Sequence, residues 1–544
     1  MNRRTLLKGA LAGVSSLYLS KLYSGTWMPP LAGQTGAGLR FQPTWDSLSG
    51  YQVPDWYRDA KFGLWAHWGP QCQPEYGDWY AQGMYREGGD QYKYHCKKYG
   101  HPSKFGFKDV INEWKADQWD PEELVALYKK AGAGYFVALA NHHDNLDLYP
   151  TKYHKWNSTR VGPRKDIIKG WADAARANGL PFGVSVHASH AWTFYEASQG
   201  ADKSGPFAGI SYDGKITKDK GKGTWWEGLD PRELYAQDHP LSTPNRDGHK
   251  QWNWGDGASI PSKAYMENFY KRTLALIDNY EPDLVYFDDT ALPLWPVSDV
   301  GLKIAAHMYN TSIKKHGKLN AVITGKILDE QQRKCMVWDI ERGQSDRIEP
   351  LPWQTDTCLG NWHYDQRVYN GDHYKSAATV IHTLCDVVSK NGNLLLSIPV
   401  RGNGTIDEKE RAIVEGIASW MKVNSEAIYG SRPWTVFGEG PAAGSAAPLT
   451  AQGFNEGKGK PFSAADIRFT TKGKILYAIL LGWPEENKIL VKSLGGKGKV
   501  ADVRLLGHGE PLEFSQSDQG LEVKFPGQPL SQHAAVLKIS GAIV

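Results

Sequence analysis

The stretch Pro282-Asp283-Leu284-Val285-Tyr286-Phe287-Asp288-Asp289 decides the fold. A helical pattern running from Ala264 to about Asn279 stops at Pro282, four apolar residues follow in a row, and the run breaks into two acids. A short apolar run behind a breaker reads as a strand buried on both faces, and a helix leading into it makes a parallel βα unit. The unit recurs on either side. Asp120-Pro121 caps a helix that ends at Gly132 and Gly134 before the strand Tyr135–Ala140; Asp166–Asn178 leads through Gly179 and Pro181 into Phe182–His187. Val300–Lys315 leads through Gly317 into Ala321–Thr324, and Ala378–Ser389 through Asn391-Gly392 into Leu394–Pro399. This many helix-strand units in one run predict a (β/α) TIM-like barrel rather than an open sheet.

Ionisable residues follow the strands. Leu64–Ala66 ends at His67, Tyr135–Ala140 at His142-His143-Asp144, Phe182–Val186 at His187, Leu284–Phe287 at Asp288, and Met336–Ile340 at Glu341. A barrel assembles its chemistry at strand C-termini, so these residues belong to one candidate site. Asp289, next in line, points elsewhere if strand alternation persists and reads as a loop-supporting carboxylate. The two adjacent histidines, His142 and His143, should diverge for the same reason.

After Trp434 the helical punctuation stops. Ile475–Leu481, Lys488–Val491 and Val500–Leu506, separated by Gly-rich turns, predict a small C-terminal all-β sandwich. The domain reading is residues 36–430 for the barrel and 431–544 for the β-sandwich. Residues 1–35 form an export segment: Arg3-Arg4-Thr5-Leu6-Leu7-Lys8 before an apolar, small-residue run from Gly9 to Leu19 resembles a twin-arginine signal. That run is too short for a stable membrane span, and the expected destination is periplasmic or secreted. The connection Glu196–Pro261, carrying Trp225-Trp226 and Trp252/Trp254, is long enough to read as a functional loop.

Among 544 residues, 63 Lys and Arg against 59 Asp and Glu leave a formal charge of +4, which provides no basic footprint for nucleic acid. Five cysteines in no CxxC spacing indicate neither a disulfide framework nor a zinc site. The 22 Trp and 27 Tyr offer flat apolar faces with single polar handles, a match for sugar rings. Two carboxylates at strand ends suit hydrolysis of a glycosidic bond, one to attack the anomeric centre and one to protonate the leaving oxygen. Asp288 is the nucleophile candidate, and Glu341 the acid/base candidate, with Glu330, Glu349 and Asp356 as competitors. No cofactor and no metal ion is expected. Two rival readings are a metal-dependent hydrolase using His67, His142, His187 and Asp288 as ligands, and a non-catalytic sugar-binding barrel.

Taken together, these stretches resemble the α-L-fucosidase family, glycoside hydrolase family 29. The resemblance rests on Lys61–Gly69, Gly77-Asp78-Trp79-Tyr80, His142-His143-Asp144, Phe182–Trp192, Pro282–Asp288, Trp353-Gln354-Thr355, Trp362-His363-Tyr364 and Asn391–Leu396. It implies a retaining exo-glycosidase, a barrel followed by a β-sandwich, and α-L-fucosyl glycans as partners. It places Asp288 on the nucleophile, and Glu341 fits the acid/base spacing better than Glu349. His67, Asp78, Trp79, His142, His143, His187, Tyr286 and Trp362 fall on sugar-binding positions. Asp78 stands where the family typically has Glu, and Tyr286 where it commonly has Trp, so the related α-L-galactoside is the alternative glycone.

Overall fold

Asp120, Asp166, Ser262, Ser376 and Asp407 each precede a helix and accept a hydrogen bond from a backbone N–H of its first turn. Each such cap contributes about 1 kcal/mol and marks where the chain turns from strand to helix. The capped helices are Pro121–Lys130, Ile167–Ala177, Lys263–Tyr280, Ala377–Ser389 and Glu408–Asn424, and Val300–His316 is a sixth long one. The structure is a computed structural model and describes residues 40–543 apart from 238, 244–253, 255, 445–448 and 450–452. The export segment read at residues 1–35, and Trp252 of the long connection, lie outside the described residues.

Eight parallel strands close into a barrel in chain order: β1 Phe62–Ala66, β2 Tyr135–Asn141, β3 Phe182–Val186, β4 Leu284–Thr290, β5 Val322–Lys326, β6 Val337–Glu341, β7 Trp353–Cys358 and β8 Gly392–Ser397. The ring is sealed where β1 pairs with β8, Leu64 beside Leu396. β1, β2, β3, β5, β7 and β8 are buried along their whole length, as strands covered on both faces must be. Two connections depart from the helix-strand alternation. Among the described residues, only a 3-10 turn at Gln332–Lys334 links β5 to β6, and no helix links β6 to β7. That side of the barrel instead packs Ile340, Trp353 and Val387 with Trp338 and Leu449, the last of these coming from beyond the barrel.

β9 Arg432–Glu439, β10 Ile467–Lys472, β11 Ile475–Leu480, β12 Lys488–Val491, β13 Asp502–Leu505, β14 Phe514–Ser517, β15 Gly520–Lys524 and β16 Ala535–Ser540 form two antiparallel sheets, β13-β16-β11-β10-β9 and β12-β15-β14. Phe469, Leu476, Leu480 and Leu537 of the larger sheet share one core with Val491, Leu521 and Val523 of the smaller, which makes a sandwich. It is fastened to the barrel through a buried charge triad: Asp386 on the Ala377–Ser389 helix accepts from Arg468 Nε of β10 at 2.6 Å and from Lys390 Nζ at 2.7 Å. Burial would push the Asp386 carboxyl up, but the two cations outweigh it and hold it below the usual carboxylate range. All five cysteines are unpaired, and among the described residues no helix is long and apolar enough to cross a membrane.

Candidate active site

At the C-terminal ends of the strands lies a cavity lined by His67, Asp78, Trp79, His142, His187, Tyr286, Asp288, Lys326, Glu341 and Trp362, together with Trp65, Asp289, Asp356 and His363. These residues arrive on β1 to β7 or on the loops that follow them. Of the strand-end residues read from sequence, His143 and Asp144 do not line the cavity. Both are buried, and His143 Nε2 lies 3.3 Å from Asp288 Oδ2.

The register explains the two acids of β4. Tyr286 lies opposite Thr324 and Thr290 opposite Lys326, so the pairing shifts between them and the strand bulges over Phe287–Asp289. Bulges re-aim side chains at barrel rims. Asp288 turns to His187 Nδ1 at 3.2 Å and to Lys326 Nζ at 2.8 Å. Asp289 turns to the Ser189 hydroxyl at 2.5 Å and to His190 Nε2 at 2.7 Å, a supporting carboxylate. His142 and His143 do not diverge: their ring centroids are 4.3 Å apart. β2 ends at Asn141, so the alternation that would have separated them no longer applies.

Lys326 is the residue that sequence reasoning missed. Its ammonium, 5% exposed, bridges Asp288 and Glu341, with a very short contact to Glu341 Oε2. The reading ended β5 at Thr324; extending the strand by the two residues it has in the structure would have placed a cation at its end, where the same rule had found the other site residues. Burial disfavours the Lys326 charge, but Asp288, then Glu341, Asp356 and Asp339, outweigh it and hold the ammonium well above the usual range. Burial likewise opposes the Asp288 charge, and Lys326, with the hydrogen bonds of His143 and His187, overrides it and holds that carboxyl well below its ordinary value. Beneath them, burial and then the Asp339 charge push Asp356 well up, and burial pushes Asp339 up to about 6. The Tyr286 hydroxyl donates to Asp356 at 2.9 Å.

Burial disfavours the charged form of the His67, His142 and His187 imidazoles. Burial lowers His187 to about 4 and takes His67 and His142 well below the ordinary value, with neighbouring histidines adding to it. Both ring nitrogens of His67, and Nε2 of His187 and His363, are buried and make no hydrogen bond to the described residues, so they can serve ligand hydroxyls. Trp65 packs against Tyr286 at 4.9 Å and Trp362 at 5.4 Å between ring centroids, which gives the polar wall an apolar counterpart. Two histidine triads, His67/His142/His363 and His142/His143/His187, are close enough to hold a metal ion, with nitrogens within 4.8 Å of one another. In them His142 Nδ1 is already bonded to Gln71 Nε2 at 2.7 Å and His187 Nδ1 to Asp288.

Of the acid/base competitors, Glu330 is exposed, and Glu349 lines a separate cavity with Arg333, Arg347 and Leu449. Asp356 lines the site but is tied to Tyr286. Among the described residues, Glu341 is the one glutamate lining the site cavity.

Residues 32–426 match the family model described as Alpha-L-fucosidase, and residues 460–540 the one described as Alpha-L-fucosidase C-terminal domain. The plasma alpha-L-fucosidase of Homo sapiens is 25% identical over 513 residues, covering 91% of each chain. Among solved structures, a Thermotoga maritima alpha-fucosidase in complex with fucose superposes with a TM-score of 0.67 at 25% identity, covering 92% of this chain and all of its own. The same enzyme with a mechanism-based inhibitor gives a TM-score of 0.68 at 24% identity, over the same shares of the two chains.

Proposed function

This chain belongs to the alpha-L-fucosidase family and is a glycosidase, and we propose that it releases terminal α-L-fucose from glycans or polysaccharides by double displacement, with Asp288 as nucleophile and Glu341 as acid/base. The observation that carries the reading is the shared contact of both carboxylates with Lys326. Two hydrogen bonds of about 3 Å to one nitrogen hold the two oxygens within about 6 Å. This favours a retaining pair, at about 5–5.5 Å, over an inverting one at about 6.5–9.5 Å.

In the first step an Asp288 oxygen attacks the anomeric carbon while the glycosidic C–O bond breaks, and the proton of Glu341 passes to the departing oxygen. The glycosyl ester neutralises Asp288, and Lys326 is left facing the Glu341 carboxylate alone. In the second step Glu341 takes a proton from water, the water oxygen attacks the same carbon, and Asp288 departs as a carboxylate. His187 and His143 hold Asp288 ready for attack, and the neutral imidazoles of His67 and His142 receive the sugar hydroxyls. Asp78, Trp79, Tyr286 and Trp362 complete the glycone pocket.

The test is a pair of variants. Asp288→Asn loses several orders of magnitude on every substrate. Glu341→Ala keeps far more activity on a nitrophenyl fucoside than on a poor leaving group, and azide restores its turnover by intercepting the β-linked fucosyl-enzyme to give the α-fucosyl azide. Substantial activity in Asp288→Asn would overturn the mechanism. Nitrophenyl α-L-galactoside, which differs from the fucoside by a C6 hydroxyl, is expected to turn over more slowly than the fucoside.

A further inference from the structure

We infer that Gly453–Glu456, part of the connection between β9 and β10 of the C-terminal domain, positions Glu341, with Glu456 as the positioning residue. The inference rests on the reading of Glu341 as acid/base. β6 ends at Glu341 with no helix after it, and the C-terminal connection lies in its place. Gly453 pairs with Glu341 as a parallel bridge, the Phe454 N–H donates to the Glu341 carbonyl at 2.8 Å, and the Glu456 N–H to the Arg342 carbonyl at 2.9 Å. On its other side the Arg342 N–H donates to the Asp356 carbonyl of β7 at 2.8 Å. The end of β6 is therefore held between β7 and the strap, like an inner strand of a sheet.

Three side-chain facts make this a built contact. A Cβ on Gly453 would lie 2.4 Å from the Glu341 carbonyl oxygen, and its φ of +114° also suits glycine, so the strap approaches the Glu341 backbone as closely as a residue without a side chain permits. The Asn455 side chain accepts from the Gln344 N–H at 2.8 Å and donates to the Gln344 carbonyl at 3.0 Å, which reads the loop after Glu341 as a strand partner would. The Glu456 carboxylate gathers the Thr357 hydroxyl at 2.8 Å, Arg342 Nε at 3.2 Å and Lys375 Nζ at 3.2 Å. Arg342, directly after Glu341, has a left-handed φ of +43°. That backbone is strained and persists only where its surroundings over-determine it. Here Glu456 holds the guanidinium and its own N–H holds the carbonyl. Without Glu456 the Arg342 turn relaxes, and the direction of the Glu341 side chain relaxes with it.

The test uses the full chain with Glu456→Ala, Glu456→Gln, Gly453→Ala and, as reference, Glu341→Ala, on aryl α-L-fucosides of graded leaving-group pKa. Glu456→Ala and Gly453→Ala should lose kcat by about 10- to 100-fold on poor leaving groups, much less on dinitrophenyl fucoside, with KM near the parent value. Glu456→Gln, which keeps the Thr357 hydrogen bond and the side-chain shape, should fall between. Thermal melting reads the fold, and a uniform loss on all leaving groups is the signature of a merely structural role. If Glu341→Ala shows the leaving-group dependence and neither Glu456 variant does, the positioning role is overturned while the acid/base reading stands. If Glu341→Ala itself shows none, both fall.

Discussion

Lys326 sets the charge state of the site. One buried ammonium faces two carboxylates and has two more beneath it, so its removal leaves like charges with no counterion at close range. Lys326→Met is expected to raise the pKa of Asp288, the direction opposite to the shift Lys326 now imposes. Because attack requires ionised Asp288, the acid limb of kcat/KM should move to higher pH in this variant, and Lys326→Arg should keep it near the parent position. A pH profile of kcat/KM checks both, and an unmoved limb in Lys326→Met would show that His143 and His187 alone set the nucleophile. Chelation by EDTA should leave the parent's activity unchanged; a loss restored by zinc would transfer the histidine triads to a metal and the reaction to another class.

At the scale of elements, the strand ends carry a cluster of neutral buried histidines, and this ties stability to pH. Unfolded histidine titrates near 6.5, whereas folded His187 sits at about 4 and His142 well below its ordinary value. Between those limits the unfolded chain binds protons that the native chain does not, so these groups contribute stability that grows as pH rises and is lost as pH falls toward 4. Asp339, raised to about 6, acts in the opposite sense. His142→Gln removes one group that must charge on unfolding, so its melting temperature should fall less between pH 7 and pH 5 than the parent's. An equal fall would mean that folded His142 is already protonated. The same strand ends show why one strand of the barrel is not legible as a strand in the sequence. In β7, Gln354, Thr355, Asp356 and Thr357 lack the apolar run that marks a buried strand, so only the motif Trp353-Gln354-Thr355 stands out there. They are buried nonetheless, since the barrel interior there is polar: Gln354 accepts from the Tyr57 and Tyr135 hydroxyls and donates to Asp339.

Across the whole molecule, barrel and sandwich share the buried Asp386–Arg468 pair. Removing the shared carboxylate leaves Arg468 and Lys390 buried without their anion and costs about 3–5 kcal/mol; Asp386→Leu should lower the denaturant midpoint accordingly, and a change under about 1 kcal/mol would mean that the triad is dispensable. The export reading makes a separate prediction: replacing Arg3 and Arg4 by Lys should trap a folded, active chain in the cytoplasm, and normal export would end the twin-arginine assignment. The alternation of capped helices with apolar runs, and the ionisable residue after each run, were local patterns, so the sequence by itself determined the barrel, the all-β tail and the presence of Asp288 and Glu341 at strand ends. Local pattern is blind to what lies across space. The bulge that parts Asp288 from Asp289 depends on pairing with β5, the bridging position of Lys326 on the curvature that brings three strand ends together, and the strap at Glu341 on a segment more than a hundred residues downstream. Those were decided only by the tertiary structure, because each is a distance between residues that the chain order keeps apart.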